Sequence, residues 1–175
     1  MCIRDRYISE LMKVKKISIW GRDPKKAEKV KADLSYLDVN IESDIEKLVT
    51  ESSLIVTTTS SKDPLIQSEW VKPGTHITAV GSDTPEKCEL DPNLLSRADL
   101  LVADSLEQNL IRGEIHQAAK QSLIDSENVV ELGEVFSGIK KGRVNQDSIT
   151  IADLTGVAVQ DLVIAQAVFK AAKEA

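Results

Sequence analysis

From Lys16 onward the chain alternates short apolar runs with longer segments of helical period, and that alternation restricts it to one class of fold. Ile17-Ser18-Ile19-Trp20 reads as a strand, and Pro24 at a first-turn position opens a charged helix through about Tyr36. The cycle repeats with Val39-Asn40-Ile41 and a helix near Asp44 to Glu51. Leu54 to Thr58, His76 to Val80 and Leu100 to Ala103 then follow as strands rich in Val, Ile and Thr. Helical patterns cover about Ser105 to Leu123 and Val129 to Lys140, a short strand sits at Ile149-Thr150-Ile151, and a last helix runs from about Val157 to Lys173. The strand runs are nearly continuous in apolar character and do not alternate, as a sheet covered by helices on both faces requires. The expectation is an α/β chain with a doubly wound, mostly parallel sheet.

Charge and composition narrow the function. The formal net charge is -6 and no basic stripe locally reverses it, so neither nucleic acid nor an anionic membrane surface is an expected partner. Apolar runs such as Leu54-Ile55-Val56 fall far short of the roughly 20 residues that cross a bilayer, and no signal segment opens the chain. A cytoplasmic location is therefore expected. Cys2 and Cys88 make no CxxC pair and no disulfide framework, so no metal site is expected. His76, within a strand, and His116, within a helix, lack spaced partners for a triad or metal and read as structural or surface residues.

In open α/β sheets ligands bind beyond the carboxyl ends of the strands, so the residues that leave each strand carry the information. After Trp20 come Gly21, Arg22 and Asp23. Gly21 removes bulk and Arg22 offers a planar fork suited to a 2′-phosphate or a plain surface charge, while Asp23 can accept from an adenosine ribose or cap the helix begun by Pro24. After Val56 comes Thr57-Thr58-Thr59-Ser60-Ser61, a hydroxyl cluster able to bond phosphate or ribose, or simply to form a polar turn. After Val80 come Gly81, where a small residue lets a ligand approach the backbone, Ser82 and Asp83. A carboxylate at position 83 can hold an ammonium group and move a proton, or belong to a turn with Pro85. After Ile151, the run Ala152-Asp153-Leu154-Thr155-Gly156 leads into a helix N-terminus, where Asp153 and Thr155 can face a ligand or cap the helix.

No GxGxxG run occurs, although a dinucleotide fold normally begins with a strand and that motif. Met1 to Arg6 has no apolar period and leads into an amphipathic stretch, Tyr7 to Val14, that reads as the remnant of a crossover helix. The expectation is a chain truncated upstream: residues 1–15 as remnant, 16–156 as a domain lacking its first strand and Gly-rich loop, and 157–175 as a helix returning toward an absent domain.

Five segments in order resemble the ornithine cyclodeaminase/μ-crystallin family: Ile19-Trp20-Gly21-Arg22-Asp23-Pro24, Val56 to Ser61, Ala79 to Lys87, Glu131-Leu132-Gly133-Glu134 and Asp153 to Asp161. The resemblance implies a Rossmann-like NAD(P)-binding domain joined to a separate substrate and dimerisation domain, and a full-length homodimer. It implies that Asp83 engages the substrate nitrogen and transfers a proton while a hydride passes between nicotinamide and the carbon bearing that nitrogen. Thr57, Thr58, Ser60, Val80, Leu154 and Thr155 would line the cofactor, with Gly21, Arg22, Asp23, Thr59, Gly81 and Gly156 completing the set. Arg22 tilts the choice toward NADP. The substrate class implied is a small amino acid or cyclic imino acid, undergoing C–N oxidation with deamination or cyclisation, or the reverse imine reduction. The 175 residues alone are expected to bind cofactor weakly and not to turn over. Two alternatives stand beside this: a μ-crystallin-like binding protein, and another dinucleotide enzyme of shikimate dehydrogenase type.

Overall fold

The computed structural model describes residues 13–14 and 16–174, so most of the expected Tyr7–Val14 segment lies outside the described residues. The chain divides into two compact units, with the division between Ser52 and Ser53.

In the first unit, strands β1 (Lys16–Ile19) and β2 (Asp38–Ile41) pair in parallel, Ile17 against Val39 and Ile19 against Ile41. Helix α1 (Pro24–Asp33) connects them, and α2 (Ile45–Thr50) follows. Both helices start where short acids take up free amides: Asp23 accepts from Lys25 N–H at 3.0 Å and Asp44 from Lys47 N–H at 3.2 Å. Helix α1 ends short of the expected Tyr36. Leu34 is buried and leaves helical geometry (φ -104°, ψ 32°), turning the chain back into β2.

The second unit holds a five-stranded sheet that is parallel throughout: β3 (Leu54–Thr57), β4 (His76–Ala79), β5 (Leu100–Ala103), β6 (Val130–Glu131) and β7 (Thr150–Asp153), in the spatial order β3-β4-β7-β5-β6. The expected parallel α/β architecture is present. Because side chains alternate along a strand, register puts Ile55, Ile77, Ile151 and Leu101 on one face. All four are buried, and helices α3 (Pro92–Ser96) and α5 (Glu114–Lys120) contribute buried Leu94, Leu95, Ile115 and Ala118. The other face presents His76, Thr78, Thr150, Ala152, Leu100 and Val102 to an open depression of about 450 Å³. Leu132 and Val135 of helix α6 (Leu132–Phe136) border that depression.

Two expected helices are not continuous. Ser105 to Leu123 is split into α4 (Leu106–Asn109) and α5, because Gly113 takes φ +92° and ψ -174°, a conformation outside any helix. The segment expected to be helical from Val129 begins instead as β6, whose Val130 and Glu131 pair with Val102 and Ala103 before the chain turns into α6. The last helix, α7 (Ala158–Glu174), is exposed along its length and displays Val159, Leu162, Val163, Ile164, Val168 and Phe169. Among the described residues no helix is long and apolar enough to cross a membrane.

Candidate functional site

Parallel pairing fixes which strand ends meet. Thr57, Ala79, Asp153 and Ala103, the last residues of β3, β4, β7 and β5, lie in one register row, so the turns that leave them form one rim. That rim gathers Thr57 to Ser60, Val80 to Asp83 and Leu154 to Gly156. Main-chain bonds stitch it: Val80 N–H donates to Thr57 O at 3.0 Å and Leu154 N–H to Ala79 O at 2.8 Å. Gly21, Arg22 and Asp23 belong to the first unit, where they leave the carboxyl end of β1 and are exposed. Of the two roles open to Asp23, the cap of α1 is realised.

Along the rim, exposure separates side chains that can meet a ligand from those that hold the rim together. Thr58 and Ser60 are exposed, whereas Thr57 is buried and its hydroxyl donates to Glu89 Oε2 at 2.6 Å. Thr59 is half-buried, and its Oγ1 accepts from Ser61 N–H at 3.2 Å. Thr155 is buried, its hydroxyl donating to Asp104 Oδ1 at 3.3 Å, while Gly156, at φ +88°, donates its N–H to Asp104 Oδ2 at 2.7 Å. Leu154 and Val80 are half-buried between these turns. Gly81 admits no side chain: a Cβ there would lie 2.0 Å from Thr59 O and 2.5 Å from the Glu89 carboxylate.

Asp83 stands at the rim with its side chain 56% exposed and forms an ion pair with Lys87, four residues on. The Lys87 ammonium holds the Asp83 carboxyl below the usual carboxylate range, so it is ionised at neutral pH. It is a ready partner for a cationic nitrogen.

Three buried acids beneath the rim were not singled out as a group by the sequence. Glu89 accepts from Thr57, from Gly81 N–H at 2.8 Å and from Thr59 N–H at 2.5 Å. Glu114 accepts from the Ser82 hydroxyl, from Glu89 N–H at 2.8 Å and from Leu90 N–H at 3.1 Å. Asp153, read in the sequence as a candidate cap for the following helix, instead accepts from Ile115 N–H of α5 at 2.8 Å. Burial raises the carboxyl of Glu114, and burial, with repulsion from Glu114, pushes Asp153 up to about 7. The available signal was an acid set directly among apolar residues: Glu89 between Cys88 and Leu90, and Glu114 before Ile115.

The histidines occupy structural positions. His76 Nδ1 lies 2.7 Å from Thr150 Oγ1 and its Nε2 3.2 Å from Thr78 Oγ1, on the open sheet face, with its pKa lowered first by burial and then by Arg143. His116 Nδ1 donates to Leu110 O at 2.9 Å. Burial pushes the Cys88 thiol up to about 12, and among the described residues no cluster of His, Cys, Asp and Glu could hold a metal.

Residues 4–175 match the model of the ornithine cyclodeaminase/mu-crystallin family. A putative dehydrogenase of Rhizobium meliloti is 43% identical over 166 residues, covering 93% of this chain and 50% of its own length. The iminosuccinate reductase of Paracoccus denitrificans, solved in complex with NAD+, superimposes with a TM-score of 0.91 at 37% identity, over 98% of this chain and 53% of that one. An archaeal alanine dehydrogenase dimer with bound NAD gives a TM-score of 0.92 at 33% identity, over 98% and 53% of the two chains. The chain thus spans about half the length of the relatives it matches. With the family's model matched over nearly every residue and the strand-end turns gathered at one rim, the chain belongs to the ornithine cyclodeaminase/mu-crystallin family.

Proposed function

We propose that the whole protein is an NAD(P)-dependent enzyme acting on small amino acids or cyclic imino acids. It would oxidise a C–N bond with deamination or cyclisation, or run the same path in reverse as imine reduction. The observation that supports this reading is the shared rim: register aligns the ends of β3 and β4, so the turn with exposed Thr58 and Ser60 and the turn that runs on through Gly81 to exposed Asp83 leave the same edge of the sheet. Residues 16–156 would form the nucleotide-binding domain, and 157–175 would lead back toward a substrate and dimerisation domain, in a cytoplasmic homodimer.

The rim fits a dinucleotide. Hydroxyls at Thr58 and Ser60 can donate to phosphate or ribose oxygen, while the missing Cβ at Gly81 makes room for Thr59 O and the Glu89 carboxylate and so serves the packing of the rim. A bound nicotinamide supplies the hydride acceptor or donor. Val80, Leu154 and Gly156 would give it an apolar and compact wall, with Thr57, Thr59 and Thr155 fixing the turns. In the first unit, taken by itself, Gly21 and Arg22 leave β1 exposed beside the Asp23 cap. Arg22 favours a 2′-phosphate, whereas the similar structures named above hold NAD+ or NAD, so titration with both nucleotides decides that choice. Asp83 would pair with the substrate nitrogen and take its proton as the C–N bond is oxidised, or return it when an imine is reduced.

The test is turnover by the full-length protein with amino acids and cyclic imines in both directions. Asp83→Asn keeps the shape of the side chain and removes its charge and basicity. It is expected to lower kcat by about 100-fold or more while leaving nucleotide affinity within a few-fold. Undiminished turnover by Asp83→Asn would refute the role of Asp83, and an absence of nucleotide-coupled turnover with every member of the substrate class would refute the reading as a whole.

A further inference from the structure

Glu89 is fully buried, and among the described residues the donors to its side chain come from the two turns that leave β3 and β4. One oxygen takes the Thr57 hydroxyl and Gly81 N–H, and the other takes Thr59 N–H. A single carboxylate therefore bridges the carboxyl ends of β3 and β4 from below. Its own backbone is held in turn, its N–H donating to Glu114 Oε1 at 2.8 Å. Among the described residues Glu89 forms no ion pair, so its charge is met by these donors. A buried carboxylate with no cation beside it persists only where such donors are fixed in place.

We infer that Glu89 is a positioning residue for nucleotide binding: it sets the spacing of the 57–59 turn against Gly81 and so presents Thr58 and Ser60 to the cofactor. This rests on the reading of the rim as a nucleotide site. Two features of the geometry demand a carboxylate here and not simply a polar filler. The turns pack backbone to backbone, with no room for even a methyl group on Gly81, so their spacing is fixed where Glu89 joins them. Moreover, the three donors lie on both oxygens. A glutamine has one acceptor oxygen, and in either orientation of its amide an NH2 group would face a backbone N–H of one turn. By occupying the N–H groups of Thr59 and Gly81 from beneath, Glu89 also reserves them, leaving the exposed hydroxyls as the groups a ligand meets.

The test uses the full-length protein, with NADH and NADPH titrated directly by fluorescence so that binding is read without turnover. Glu89→Gln, checked for native circular dichroism, is expected to raise the Kd of the preferred nucleotide at least tenfold. Thr57→Val removes one donor to Glu89 and should weaken binding in the same direction, while Thr57→Ser, which keeps the hydroxyl, should restore it to within about threefold of wild type. A role in folding alone would lower the melting temperature of these variants without separating Thr57→Ser from Thr57→Val in affinity. If Glu89→Gln does not fold, the Thr57 pair decides. Glu89→Gln, or Thr57→Val, binding as tightly as wild type would overturn the inference and leave the proposed function standing. Failure of wild type to bind either nucleotide would instead sink the reading of the rim, and the inference with it.

Discussion

Asp153 offers a perturbation whose size and sign both follow from the structure. Its side chain ends β7 in the buried layer, 2% exposed, with Ile115 N–H donating to Oδ2 at 2.8 Å. Its main-chain carbonyl accepts from Asn109 Nδ2 at 3.1 Å. Glu114, the neighbouring buried acid, adds repulsion, and burial, the larger cause, pushes the Asp153 carboxyl up to about 7. The unfolded carboxyl titrates near 3.8, so between these values the native chain holds a proton that the unfolded chain has released. Native stability from this group is therefore fullest below about pH 4, falls as pH rises, and levels off above about pH 7. A shift of about three units corresponds to about 4 kcal/mol in all, of which about 3 kcal/mol is lost between pH 5 and pH 8. Glu114, whose carboxyl is also raised by burial, adds to the fall in the same direction. Asp153→Asn keeps an oxygen for Ile115 N–H and cannot ionise, so it should flatten this part of the profile and be the more stable protein at pH 8. Urea unfolding of the full-length protein and the variant at both pH values measures it, the wild-type midpoint falling by about 1 M more than the variant's. The chain's net negative charge also erodes stability as pH rises, but both proteins share that background and the difference removes it. Equal slopes for the two proteins, or wild-type stability that climbs from pH 5 to pH 8, would refute the argument.

Gly113→Ala should destabilise strongly, because φ +92° with ψ -174° costs about 1–3 kcal/mol for a residue with a Cβ, and that Cβ would lie 2.6 Å from Asp153 Oδ2. We expect a melting temperature about 10 °C lower, whereas Gly133→Ala, with nothing within 4 Å of its Cβ, should leave melting almost unchanged. The Cys88 thiol, pushed up to about 12 by burial, should resist iodoacetamide at pH 8 in the native protein and react once urea unfolds it, read by mass spectrometry of its peptide. Ready alkylation of Cys88 in the folded protein would show that the β4–α3 connection opens.

What the sequence made legible, and what it hid, divides along a physical line. The strands β1 to β5 were readable to within about a residue and β7 to within about two, and for β3 and β5 the reason is that unbroken runs of Val, Ile, Leu and Thr have one stable home, inside a parallel sheet. β6 was not, since its two residues carry no period of their own and exist only because Val102 and Ala103 offer an open edge. The break between α4 and α5 was marked by Gly113, but a glycine alone does not say that a carboxylate lies where its Cβ would be. The same limit governs the rim. Thr57, Gly81, Asp83 and Thr155 follow their strands directly and were singled out on position alone. The groups that hold Thr57, Gly81 and Thr155, namely Glu89 and Asp104, and Glu114, which holds Ser82, come from other segments, and their partners lie 8 to 52 residues away.

Thr57 and Thr155, which the sequence places among cofactor ligands, direct their hydroxyls inward to Glu89 and Asp104. Exchanging either for valine would therefore act first on the shape of the rim, whereas exchanging exposed Thr58 or Ser60 would act on the ligand directly. The two kinds of variant separate experimentally. The inward pair should shift unfolding midpoint and nucleotide affinity together, while the outward pair should shift affinity with the midpoint unchanged. The energetic reason is burial: at Thr57 a hydroxyl replaced by a methyl leaves the fully buried Glu89 carboxylate short of a donor, a cost of about 1–3 kcal/mol felt even with no ligand bound, and at Thr155 the half-buried Asp104 makes the cost smaller.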